Sequence, residues 1–400
     1  MVLVLKFGTN VKCEGGIQMI VMNLEIDNLF GFEEFELNFS YPKKIVNSSI
    51  SNEYLENKPN FRYKKINILI GANASGKTSI GRALMVIFNF ISKKDPAKLR
   101  EVIRDKAKKS KFSIDFLSDE ETLYRINCEI DIENETKNNT SFKDKINKMD
   151  SDIYLDVFLS KISKNDSYES CIKKFKKITS GKDDEDLNYV QKLKIIPKLG
   201  WLFTFPDSGA DVLLRDDILN LNILSSILKT LDTDIKVVEK SKEVESSYII
   251  RSRNGDVFIQ NGEIVDKNIL SSGTKMGINI AYVVSSICEN THGFYYCDEQ
   301  FSFIQTDLEQ SLLSLMISLL KKNSQLFFTS HNLDLLDLEL PVHSFTFLKK
   351  CTTIEVVHPE KIIKKNDISL RNAVINDVFS ISPDISKILE LEDGCMYEEK

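Results

Sequence analysis

Residues Gly71 to Thr78 read G-A-N-A-S-G-K-T, which fits the spacing G-x-x-x-x-G-K-[ST]. The chemistry that this spacing serves is the holding of phosphate. Backbone N–H groups of a bare, glycine-punctuated loop form a concave nest for phosphate oxygens, and a helix starting at its end adds partial positive charge. The expected nucleotide contacts are Gly71, Asn73, Ala74, Ser75, Gly76, Lys77, Thr78 and Ser79. Lys77 would reach the β- and γ-phosphates of ATP, and the Thr78 hydroxyl would ligate Mg2+. With Gly at about 7% of residues, a chain of this length meets the pattern by accident roughly once in a hundred. The flanks lower that further: Ile66, Ile68, Leu69 and Ile70 predict a short buried strand, and "SIGRALMVIFNF" predicts a buried helix.

Three more stretches carry chemistry. "GFYYCDEQ" runs an apolar strand into Asp298 and Glu299. Alone, this is an ordinary strand end with solvated acids. Beside a phosphate loop, Asp298 would hold Mg2+ through water, and Glu299 would orient and deprotonate the attacking water. "LSSGTKMG" puts Ser271, Ser272 and Gly273 at the start of an apolar helical run. They form either a plain helix cap or a second anion site. "QLFFTSHNLDLLD" places His331 directly after a predicted strand, Gln325 to Thr329. A lone histidine is more often structural, but ligands collect at strand ends in open α/β sheets.

The surrounding elements must bring these stretches together. "VMNLEIDNLFGFEEFELNFS" predicts two strands joined near Gly31, and residues 41–65 read as a polar loop. Phe112 to Ile132 predicts a hairpin turning at Ser118–Glu121. Glu133 to about Asp186 is rich in Lys, Asp and Ser, with helical-looking pieces such as "IYLDVFLSKI", and lacks the sustained heptads of a long coiled coil. "ILNLNILSSILKTL" predicts a helix. "SSYIIRSRNGDVFIQNGEIV" predicts strands turning at Asn254-Gly255 and Asn261-Gly262. From Leu270 onward helices and strands alternate, the pattern of a mainly parallel sheet covered by helices.

The expected division is 20–132 and 246–350 as two halves of one α/β head, 133–245 as an inserted, largely helical lobe, and 351–400 as a tail. A net charge of −6 argues against a surface that is one nucleic-acid footprint. Seven scattered cysteines without C-x-x-C argue against zinc and for a reduced, cytosolic compartment. No apolar run reaches membrane-spanning length. The first 22 residues lack a signal-peptide layout, and Met19 or Met22 would serve as well as Met1 for a start.

In order, the chain holds a phosphate loop, L-S-S-G, an apolar strand with Asp-Glu, and a strand with Ser-His. In this it resembles ABC-type ATPases of the SMC-like branch, and most closely the OLD-like AAA ATPases of bacterial genome-defence systems. "LEIDNLFGFEEFELNF", "ILSSGTK" and "FFTSHNLDLLD" carry the resemblance, over roughly residues 20–90 and 250–350. It implies an ABC-type P-loop fold with a mainly parallel sheet, an antiparallel β-subdomain and an inserted helical lobe. By the same resemblance, Ser271, Ser272 and Gly273 would bind the γ-phosphate held by a neighbouring subunit, and His331 would sense it. ATP would then join two copies into a dimer or a higher homo-oligomer. The signature reads L-S-S-G-T rather than L-S-G-G-Q, and no Q-loop glutamine can be placed.

OLD-like nucleases carry a C-terminal toprim domain, whereas only about 50 residues follow "SFTFLKK". A nuclease is therefore expected on a separate chain, with a phage product as the trigger. The tail "ISLRNAVINDVFSISPDISKILELEDG" resembles the AriA ATPases of PARIS anti-phage systems. The alternative is an SMC-like repair or chromosome clamp, which would need a coiled-coil arm that residues 133–186 do not supply. Lys93 to Lys111 holds nine Lys/Arg against three Asp/Glu. Direct DNA contact there is weighed against a solvated surface, and the latter is favoured because no aromatic residue interleaves the run.

Overall fold

The computed structural model describes residues 19–46, 48–132, 152–178, 187–205, 215, 217–265, 269–363, 369–382 and 385–397. The N-terminal stretch before Met19 and half of the Lys/Asp/Ser-rich segment lie outside the described residues.

An antiparallel six-stranded sheet runs in the order β2 (Phe35–Asn38), β1 (Ile20–Asp27), β6 (Ser110–Leu117), β7 (Thr122–Ile130), β8 (Ile153–Lys161), β9 (Lys176–Lys177). The predicted hairpins at Gly31 and Ser118–Glu121 are both present in it. The expected helix over "IYLDVFLSKI" is instead β8, paired along its length with β7. Its inward residues Ile153, Leu155 and Val157 alternate with outward Tyr154, Asp156 and Phe158. That is a period of two, which a helix cannot bury on one face. The largely helical lobe is thus corrected over its described part. Residues 152–178 extend a sheet and carry only the short α3 (Tyr168–Ile172); from 187 to 245 the short α4 (Tyr189–Leu193) and one longer helix, Leu221–Leu231, alternate with the strands Trp201–Thr204 and Ile235–Lys240. The polar stretch 41–65 also folds back on itself, as β3 (Tyr54–Leu55) and β4 (Lys58–Arg62).

The central sheet has the order β10 (Trp201–Thr204), β15 (Phe294–Asp298), β16 (Gln325–Ser330), β5 (Ile66–Gly71), β17 (Phe345–Lys350), β18 (Ile354–Val357). Every pairing is parallel except the last. Both faces are covered, so its strands read as continuous apolar runs. Ile66, Ile68, Ile70, Tyr295, Cys297, Leu326, Phe328 and Phe347 face one core, with α5 (Leu221–Leu231), α6 (Ser272–Cys288) and α7 (Thr306–Leu319). Leu69, Phe294, Tyr296, Phe327 and Leu348 face the other, with α1 (Lys77–Lys93) and the inner face of the antiparallel sheet. A four-stranded sheet, β11 (Ile235–Lys240) to β14 (Glu263–Ile264), joins the first core through β12 (Ser247–Ser252) and β13 (Gly255–Gln260). Short helices α2 (Ala97–Glu101), α8 (Pro359–Ile362) and α9 (Leu370–Ile375) and the C-terminal α10 (Ser386–Tyr397) complete the order. The architecture is α/β, a mainly parallel sheet with an antiparallel β-subdomain. Among the described residues no helix is long and apolar enough to cross a membrane.

β16 lies between the phosphate-loop strand and the Asp298 strand. All three end on the same side because they are parallel. This register gathers Gly71, Asp298 and His331 at one edge of the sheet.

Candidate functional site

β5 opens into the loop, and the loop closes on the first turn of α1. Ala74 (φ 61°) and Gly76 (φ 100°) both take the left-handed region, which curls successive N–H groups inward. Ala74 does so at a steric cost that glycine would not meet. A Cβ on Gly71 would stand 2.5 Å from Ser75 Oγ and 2.6 Å from the Leu348 carbonyl, so the turn admits only glycine. No side chain caps α1, and its first-turn N–H groups open onto the loop. Asn73 and Ala74 are exposed, Thr78 and Ser79 half-buried, and Ser75 and Lys77 buried. The Ser75 hydroxyl has no hydrogen-bond partner within the described chain.

Lys77 Nζ donates to the carbonyl of Gly71 at 2.7 Å and lies 3.2 Å from Glu299 Oε1. Phosphate loop and acidic strand end therefore meet at one point, as the spacing required. The Tyr296 hydroxyl pins this meeting by donating to the Lys77 carbonyl at 2.6 Å. The Tyr296 ring lies where a Cβ on Gly81 would fall, 2.4 Å away, so α1 approaches β15 as closely as it does only because residue 81 is glycine.

Asp298 is fully buried. Burial raises its carboxyl above the ordinary range, while the hydroxyls of Thr329 and Thr78 act in the opposite direction. Thr329 Oγ1 donates to Asp298 Oδ1 at 2.6 Å and accepts from the Glu299 N–H at 3.0 Å. Asp298 Oδ2 has no hydrogen-bond partner within the described chain; Thr78 is close enough to act on the carboxylate without closing a bond to that oxygen. An orphaned, buried carboxylate oxygen beside a threonine hydroxyl fits a hard cation, and Thr78 and Asp298 would hold Mg2+ here. When bound, the ion neutralises charge building on phosphate oxygens. One acid is enough for such a site, because the phosphates supply the other ligands. No larger cluster of metal-ligating side chains occurs among the described residues. Glu299 sits at φ 44°, a strained value for a residue with a side chain, and its carboxylate is partly open to solvent.

Ser271 caps its own helix, accepting from Thr274 N–H at 3.1 Å. Ser271 and Ser272 are exposed, and Gly273 lies against the Phe303 carbonyl. No hydrogen bond or ion pair among the described residues joins these three to the phosphate loop of the same chain. His331 is exposed at the end of β16. Thr329 and Tyr296 were missed by sequence reasoning; each acts through a residue far away in the chain. A polar cleft of about 870 Å³ opens beside Ile354, whose side chain lies against Gly76. Asp27, Asn28, Glu34, Arg104 and Thr353 line it.

The basic run Lys93 to Lys111 is largely paired. Arg104 meets Glu33 at 2.6 Å, Lys109 meets Glu129 at 2.6 Å, and Lys111 meets Glu129 at 3.2 Å.

Residues 66–173 match a family model described as "AAA domain, putative AbiEii toxin, Type IV TA system". No curated protein sequence matches the chain. Among solved structures, a SmcHead bound to the C-winged helix domain of ScpA aligns at 13% identity and TM-score 0.45, over 86% of this chain and 99% of that one. The SMC head domain from Thermotoga maritima aligns at 12% and 0.38, over 84% and 98%. The recombination mediator protein RecF-ATPrS aligns at 12% and 0.41, over 86% and 100%. At such TM-scores the likeness is loose, and the architecture rests on the strand order itself. The phosphate loop, with Lys77 set against the Asp298–Glu299 strand end, has the make-up of a P-loop nucleotide site, and residues 66–173 around it are similar to an AAA domain.

Proposed function

We propose that the chain binds and slowly hydrolyses ATP as a switch in an anti-phage defence system, sensing a phage product and controlling a separate nuclease of toprim type. The observation that carries the ATPase part is the 3.2 Å approach of Lys77 Nζ to Glu299 Oε1, with Asp298 orphaned and buried beside them. In this reading Lys77 binds the β- and γ-phosphates, Glu299 takes the proton of the attacking water, and Asp298 with Thr78 holds Mg2+. The adenosine enters the cleft beside Ile354. Ser271, Ser272 and Gly273 complete the site of a second copy, so that ATP bridges two subunits. The defence role draws its support from the toxin and Type IV TA system wording of the matched family and from the resemblance of the signature segments. The PARIS-type assignment is the narrowest form of the proposal.

The test is a phage challenge of cells carrying the gene with its neighbours. Lys77→Ala, which removes the charge opposite the phosphates, abolishes ATP binding in calorimetry and abolishes protection. Protection that survives with ATP binding lost overturns the switch. A second reading, an ATP-gated DNA clamp, draws on the exposed lysines Lys173 and Lys176 around the edge strand β9, where Lys174 and Lys177 are paired with Asp166 and Asp156. It requires ATP-dependent retention of DNA by the purified protein.

A further inference from the structure

Glu309 is a buried acid that the site as described does not use. It lies in the first turn of α7 and is 5% exposed. A carboxylate is costly to bury unless its oxygens are occupied. Both are, and the donors are telling. Oε1 accepts from Ser330 Oγ at 3.0 Å, and Oε2 accepts from Asn332 Nδ2 at 2.7 Å. These are the residues immediately before and after His331. Ser330 Oγ also accepts from the Asn332 N–H at 3.0 Å, and Asn332 Oδ1 accepts from the Asp334 N–H at 3.0 Å. The His331 backbone is thus held on both sides by side chains anchored to one carboxylate, while its imidazole stays exposed.

The surroundings argue for this use over plain packing. Burial raises the Glu309 carboxyl, the hydrogen bonds from Asn332 and Ser330 act in the opposite direction, and the nearby His331 lowers it further. An apolar residue at 309 would fill the same space without that desolvation. Glutamine would accept at one end only, since its amide cannot receive the Asn332 Nδ2–H. The need is for two acceptors aimed at the two anchor points that flank His331, which only a carboxylate supplies. α7 also follows Glu299 through a short connection, residues 300–305, so the helix that fixes His331 is tied to the residue that would activate water.

We infer that Glu309 is the positioning residue for His331, its buried carboxylate setting where the imidazole stands relative to the γ-phosphate by gripping Ser330 and Asn332. This rests on the ATPase reading above. The experiment compares MgATP hydrolysis, ATP affinity by calorimetry and thermal unfolding for the wild type, Glu309→Ala, His331→Ala and the double variant. Glu309→Ala lowers kcat about 10- to 100-fold, the scale of a displaced reacting group, and leaves ATP affinity within about threefold. The double variant is no slower than His331→Ala, because a residue that acts through another has nothing left to position. Losses that multiply in the double variant, or a Glu309→Ala kcat near wild type, overturn the inference.

A second pair keeps the test independent of folding of the alanine variant. Glu309→Gln combined with Asn332→Asp exchanges amide and carboxylate, so that the new amide donates where it previously had to accept. This swap recovers kcat relative to Glu309→Gln alone; no recovery counts against the inference. A wild-type protein that neither binds nor hydrolyses ATP removes the parent reading as well. A fully active wild type whose kcat is insensitive to these changes removes only the role of Glu309.

Discussion

Thr329 shows how much one hydroxyl decides at the scale of the residue. It donates to Asp298 Oδ1 and accepts from the Glu299 N–H, so a single oxygen orients both acids of the site. Valine matches its shape and removes both bonds. Thr329→Val therefore leaves a buried carboxylate less supported and the strained Glu299 N–H with only the Thr329 carbonyl, at 3.3 Å, to hold it. A kcat lower by about tenfold, with a raised Mg2+ half-saturation, is expected; an unchanged Mg2+ dependence of hydrolysis would show that Asp298 is held by other means. The meeting of the loop Gly71 to Thr78 with Asp298 and Glu299 was legible in the sequence because both lie in contiguous motifs, whereas His331 was legible only as a residue at a strand end, its role coming from the resemblance. Thr329 and Glu309 were not. Thr329 reaches Asp298 only through the register that sets Asp298 opposite Thr329 on neighbouring parallel strands. Glu309 reaches Ser330 only because α7 packs back over the end of β16.

The same division between local and non-local signals governs the elements. β5, β15 and β16 are short runs buried on both faces, and their apolar continuity makes them readable. β8 was taken for helix because its polar neighbours and length allow either, although I-x-L-x-V states the strand period. What fixes it is its partner β7 and the polar cluster around Asp115 on β6. Arg125 on β7 grips Asp115 with bonds of 2.6 and 2.7 Å, and the Tyr168 hydroxyl of α3 donates to the same carboxylate at 2.7 Å. Arg125 also lies over the Phe175 ring at 4.7 Å. Arg125→Met leaves Asp115, which is fully buried, with one neutral donor. The expected loss is about 3 kcal/mol, read as a lower urea midpoint. Adding Asp115→Asn recovers much of it, because the unpaired charge is gone. Equal midpoints for wild type and Arg125→Met would mean that α3 and the β7–β8 edge are held by packing alone.

For the whole molecule, the open question is where the other half of the site comes from. Ser271 and Ser272 are exposed, Gly273 is packed against the loop that carries exposed Phe303, and no hydrogen bond among the described residues turns them toward Lys77. Under the proposed arrangement two copies face each other, so that Lys77 of one and Ser272 of the other hold the same nucleotide. A symmetric pair then has two equivalent composite sites. Glu299→Gln keeps Asp298 and Lys77 while removing the base, so with MgATP it accumulates as a dimer in light scattering. Ser272→Arg retains ATP binding by the isolated subunit and loses hydrolysis, because the added bulk and charge sit only at the partner's phosphate. The decisive case is a mixture of Ser272→Arg with Lys77→Ala. Each protein is inactive alone, yet a mixed dimer pairs the intact Lys77 of one with the intact Ser272 of the other and contains one complete site. At equal amounts and free exchange, about a quarter of the wild-type rate returns. Subunit exchange is checked by mixing differently labelled copies. If labels exchange and no activity returns beyond the sum of the two mutants, the signature does not act across an interface, and Ser271 to Gly273 are the plain helix cap that their hydrogen bonds already form.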